Sequence, residues 1–62
     1  MKYLKLRTEM LKRGYKYKHL ATLLNVTEAV ISHRFTGRSD FTFDEVKKIC
    51  EHFNMSFEQL FL

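Results

Sequence analysis

Few side chains in this 62-residue sequence are equipped for chemistry, and most of them are cations. Eleven Lys and Arg stand against seven Asp and Glu, for a formal net charge of +4. The sum hides a split. Residues 1–38 hold nine of the cations and only Glu9 and Glu28 as acids, a surplus of +7, whereas residues 39–62 hold Lys47, Lys48 and five acids, a deficit of −3. Such asymmetry suggests a basic face for a polyanion and a different role for the other end. His19, His33 and His52 include no pair at the i,i+4 spacing of a helical metal site, and a lone Cys50 cannot complete a four-ligand zinc site, so no metal and no cofactor are expected. No nucleophile is paired with a base, no carboxylate dyad is evident and no phosphate-cradling loop exists, so the chain reads as a non-enzyme with no small-molecule ligand. One group stands out. Glu28, Ala29, Ser32, His33 and Thr36 fall together at helical spacing, small or hydrogen-bonding and free of Lys.

The elements that must hold this group follow from composition. Sixty-two residues make one small domain, 1–62, that buries only about 60% of its unfolded surface and is thinly stable. The chain is 45% hydrophobic and 15% aromatic, enough for one core and against intrinsic disorder. With no Pro and two Gly, short helices are favoured over strands and turns. A single cysteine excludes the disulfide-stapled secreted class and fits a reducing cytoplasm. No apolar run approaches the length of a membrane span, and MKYLKLRTEM lacks the apolar stretch of a signal peptide.

Periodicity predicts an all-α chain of five short helices. The first covers roughly Lys2–Arg13, with Tyr3, Leu6 and Met10 in one stripe, Leu4 and Leu11 in an adjacent one, and Gly14 as its stop. The second runs from about Lys16 to Leu24, with Leu20, Ala21, Leu23 and Leu24 inward. Asn25 ends it, since asparagine tolerates the left-handed conformation. The third is capped by Thr27, buries Ile31 and Phe35, and stops at Gly37. Thr42 and Glu45 form a capping box for the fourth, whose apolar face is Val46, Ile49, Cys50 and Phe53. Ser56 and Gln59 form another before a last turn with Phe57, Leu60 and Phe61. Phe41, Phe43, Phe53, Phe57 and Phe61 are expected mostly in the core.

The informative unit is helix, short turn, helix. Ala21 is small enough for two helices to approach closely, Asn25 makes the tight turn, and Val26 and Ile31 pin the second helix to the core. A helix pinned in this way presents its polar face outward, shaped for the major groove of DNA. At these positions the sequence resembles a known family. Residues 14–37, GYKYKHLATLLNVTEAVISHRFTG, are similar to the helix-turn-helix of phage Cro/repressor-type (xenobiotic-response-element-like) DNA-binding proteins, with the motif at about residues 17–36. The segment Thr42–Phe61 and the amino-terminal helix extend the resemblance over essentially the whole chain. It implies a lambda-repressor-like fold, and sequence-specific binding of double-stranded DNA as a transcriptional repressor.

The resemblance also implies roles. Glu28, Ala29, Ser32 and His33 occupy the base-reading positions. Lys16, Tyr17, Lys18, Thr27, Arg34, Thr36 and Arg38 would contact the DNA backbone, Thr27 through its hydroxyl and the helix amino end. Tyr17 stands where the family often has Gln, Asn25 where it has Gly, and Met10 and Phe35 where some members have a buried Arg–Glu pair. Arg34 replaces a frequent hydrophobe and is expected to turn outward to phosphate. One copy would span about four or five base pairs, so the family resemblance implies a homodimer on a roughly palindromic operator, with half-sites ~34 Å apart. Phe57, Leu60, Phe61 and Leu62 are either its dimer face or the closing layer of the core. A second reading is a protein-interaction module, an antitoxin or adaptor using the same fold. Acids on the reading face would favour it, and only Glu28 is there.

Overall fold

The computed structural model describes residues 2–62 and contains five helices: α1 (Leu4–Lys12), α2 (Tyr17–Leu24), α3 (Glu28–Thr36), α4 (Phe43–Phe53) and α5 (Phe57–Phe61). No strand occurs among the described residues. The helix ends follow local chemistry. Thr42 Oγ1 accepts from Glu45 N–H while the Glu45 carboxylate accepts from Thr42 N–H, and Ser56 and Gln59 repeat the exchange at α5. Asn25 and Asn54 close α2 and α4 in the left-handed conformation, with φ of 57° and 55°. Gly37 closes α3 with φ of 86°. Lys16 has no side-chain acceptor to cap α2. His19 supplies half of a cap from within the helix, its Nδ1 accepting from Lys16 N–H at 2.8 Å.

The core draws on every helix. Leu6 and Met10, Leu20, Ala21 and Leu24, Ile31 and Phe35, Ile49 and Phe53, and Leu60 are all buried, with Phe41 from the α3–α4 loop among them. α3 packs on α2, α2 on α4, α4 on α5 and α5 on α1, so each short helix is braced by a neighbour. Leu4 and Leu11 stay outside, on the exposed flank of α1.

Tyr3 precedes α1 with φ of 59°, unusual for a bulky residue and strained by about 1–2 kcal/mol. What holds it there is its ring, packed edge-on against Phe35, Phe41 and Phe61. Lys2 N–H donates to Phe35 O at 3.0 Å, and Lys2 Nζ and Tyr3 Oη both meet Asp40. The amino-terminal segment thus clasps the carboxyl end of α3.

Two expectations about the aromatic and carboxy-terminal residues need correction. Leu60 is fully buried and cannot belong to a dimer face. In the short α5, Leu60 faces the core and Phe61 packs beside it against Tyr3 and Phe41. Phe43 and Phe57 are not core residues: they are 82% and 49% exposed. Each is the first residue of its helix, where the capping box turns the side chain away from the core.

Candidate nucleic-acid interface

The turn between α2 and α3 is short because its backbone partners are local. Left-handed Asn25 reverses the chain, Val26 N–H donates to Ala21 O at 3.0 Å, and Thr27 Oγ1 then accepts from Val30 N–H at 3.3 Å. Ala21 is buried where the two helices meet. Ile31 and Phe35 anchor the inner face of α3. Phe35 in turn carries the Tyr17 ring stacked on it, centroids 5.2 Å apart and 6° from parallel, and the Arg7 guanidinium lies over the Tyr17 ring, 5.1 Å from its centroid.

The outer face of α3 is left open. Glu28, Ala29, His33 and Thr36 are exposed and Ser32 half-exposed, on one side of the helix. Among the described residues, the side chains of Glu28, Ser32 and His33 form no hydrogen bond, so their donors and acceptors are unspent. Thr36 Oγ1 donates back to His33 O at 3.3 Å. Glu28 sits in the first turn, where its charge also suits the helix dipole. Exposed Lys16 and Lys18 flank half-buried Tyr17 at the amino end of α2, and exposed Arg38 follows α3. The structure therefore brings Glu28, Ala29, Ser32 and His33 together, with Thr27 at the helix amino end and Thr36 and Arg38 at the carboxyl end.

Arg34 departs from expectation. It does not turn outward to phosphate. Its Nε and Nη2 donate to the two carboxylate oxygens of Glu45 at 3.1 and 3.2 Å, and Nη1 donates to Ser39 Oγ at 2.6 Å. Both partners are largely buried, their side chains 16% and 13% exposed. A planar guanidinium that finds a carboxylate in fork geometry across the α3–α4 loop is better satisfied there than in solvent. Burial pushes the Glu45 carboxyl up, but hydrogen bonds from Arg34 and from Thr42 N–H outweigh it and hold Glu45 below the ordinary carboxylate range. This pair ties α3 to α4 across the loop between them.

Sequence reasoning missed Arg7. Its Nη1 is buried with no hydrogen-bond partner among the described residues, beside Tyr17 at the start of α2. Nothing local marks it, since Arg7 and Tyr17 meet only through tertiary packing. No cluster of three or more His, Cys, Asp or Glu fit for a metal ion occurs among the described residues, and no helix there is long and apolar enough to cross a membrane.

Comparison with known families matches residues 5–61 to the Cro/C1-type HTH DNA-binding domain. The match includes both helices of the helix-turn-helix, the open outer face of α3 and the supporting helices α4 and α5. No curated protein and no solved structure among those compared matches the chain.

Proposed function

Because this chain belongs to the family of Cro/C1-type helix-turn-helix DNA-binding domains, we propose that it is a transcriptional repressor that reads double-stranded DNA through α3 and acts as a dimer on a roughly palindromic operator. The observation that carries this is the unspent hydrogen-bonding face of Glu28, Ala29, Ser32 and His33 on a helix held rigidly from behind. Glu28 accepts from cytosine N4, Ala29 meets a thymine methyl, Ser32 pairs with several bases, and His33 donates to guanine. Lys16, Tyr17, Lys18, Thr27, Thr36 and Arg38 set the register on the phosphates without reading sequence. Glu28 also repels phosphate, which lowers non-specific affinity and sharpens discrimination. Repression is then steric: the dimer covers a promoter and excludes polymerase.

Selection from a random duplex pool at near-physiological salt tests this. An enriched inverted repeat supports the reading and gives the half-site spacing directly. Retention without enrichment reduces the protein to an electrostatic binder. No retention would favour the protein-interaction reading instead.

A further inference from the structure

Three of the four arginines have a plain place in the fold. Arg13 pairs with Glu9 and donates to Phe53 O, Arg34 pairs with Glu45, and Arg38 is exposed to solvent. Arg7 fits neither pattern. It is half-buried, and among the described residues its side chain makes no hydrogen bond and no ion pair. Nη1 lies below the surface without an acceptor, whereas Nε and Nη2 are not buried. Drawing part of a guanidinium out of water without an acceptor is costly, because the lost contacts with water are not replaced. What keeps it there is the Tyr17 ring, whose centroid is 5.1 Å from the guanidinium carbon and which is itself stacked on Phe35. A guanidinium laid on an aromatic ring keeps its in-plane donors free.

We infer that Arg7 is a direct contact to a phosphate of the DNA backbone, with the Tyr17 ring as the platform that aims it. The inference rests on the DNA-binding reading and adds to it a residue of α1, outside the helix-turn-helix. Position supports it. Tyr17 opens α2 between exposed Lys16 and Lys18, and Phe35 is followed by exposed Thr36, Gly37 and Arg38. The Tyr17–Phe35 stack therefore gathers Arg7 with the start of α2 and the end of α3. Chemistry supports it as well. A phosphate accepts two parallel hydrogen bonds from one edge of a guanidinium, and the edge formed by Nε and Nη2 is the one that is not buried. The charge is delocalised over the whole group, so an anion on that edge also offsets the burial of Nη1.

The test uses the full chain and duplex DNA across a range of salt. Arg7→Met keeps the apolar stem and removes the charge. Lys12→Met removes one charge from the same helix, on the flank that it shares with Met55 and Gln59. Arg7→Met should lower the slope of log affinity against log salt by about one and weaken binding about tenfold near 0.1 M salt, on every duplex alike. Lys12→Met should leave the slope unchanged. In a Tyr17→Ala background, Arg7→Met should change the slope by less than half as much, since the platform is gone. A slope unchanged in Arg7→Met makes Arg7 a packing residue and overturns the inference. An equal change in Lys12→Met also overturns it, because net charge alone is then at work. The parent chain gives a second readout that no unfolded variant can spoil. The Nε–H resonance of Arg7 is followed as inorganic phosphate, and separately duplex, is added at constant ionic strength. Saturable shifts with both are expected. A silent Arg7 resonance while duplex binds overturns the inference and leaves the DNA reading standing, and silence toward both additions overturns it equally. If phosphate shifts the resonance and no duplex is bound, the DNA reading fails and the phosphate contact at Arg7 stands.

Discussion

Glu45 holds two ends at once, and removing it should be costly out of proportion to its place near the surface. Glu45→Ala deletes the acceptor for Thr42 N–H, half of the α4 capping box, for about 1 kcal/mol. It also strips Arg34 of its carboxylate. Breaking a fully buried pair costs ~3–5 kcal/mol. Here the side chains keep 16% and 13% exposure and Ser39 Oγ still accepts from Nη1. The lower figure for hydrogen bonds to charged groups, ~1.5–3 kcal/mol, therefore applies. The total is about 2.5–4 kcal/mol, against ~3–9 kcal/mol for a whole chain of this length. A far-UV circular dichroism melt should show a fall in Tm of about 10–30 °C. Glu45→Gln isolates the charge, because its amide oxygen still accepts from Thr42 N–H. In a double-mutant cycle with Arg34→Met, the coupling should be about 1–2 kcal/mol. A coupling under about 0.3 kcal/mol would refute the claim that this pair ties α3 to α4. The pH dependence has a fixed sign. Glu45 titrates lower in the folded chain than in the unfolded one, so its contribution is fully present above the unfolded value, ~4.3, and is lost as pH falls through the folded value. Glu45→Gln should flatten the acid limb of stability against pH.

Other outcomes follow from the same geometry. Ile31→Ala empties a fully buried site under α3 and should cost ~2–5 kcal/mol, enough to approach complete unfolding in a thermal melt. Arg38→Ala should weaken binding on every duplex and lower the slope of log affinity against log salt by about one. Arg34→Met, if it stays folded, should leave that slope unchanged, because its guanidinium is spent on Glu45. Ser32→Ala or His33→Ala should shift the preferred base at one position in a repeated selection and leave the stability within ~0.5 kcal/mol of the parent, as for other surface changes.

The parts of this fold that were legible in the sequence are those whose physics is local. Thr42 with Glu45, Ser56 with Gln59, Thr27, Asn25 and Gly37 each act on backbone within four residues, and each stands where its spacing placed it. The apolar spacing of Leu6 with Met10 and of Ile31 with Phe35 was equally plain. What sequence could not supply was the partner of a long side chain. Arg34 and Glu45 are eleven residues apart across a loop, and Glu45 was already assigned to its cap. The left-handed Tyr3 depends on three rings from α3, the following loop and α5. Likewise the choice between core and surface left open for Leu60, and the exposure of Phe43, turn on helix ends too short for a periodic pattern.

The open face of α3 has a consequence for how such a chain changes over time. Glu28, Ala29, Ser32 and His33 contribute no side-chain hydrogen bond to the described fold, while Ile31, Phe35 and Arg34 carry its attachment. On the proposed reading, specificity and foldability are written in different letters of the same nine-residue word. The first set is free to drift, or to be transplanted from another reader, without endangering the second. New target sequences are then reachable by single exchanges that cost the scaffold almost nothing.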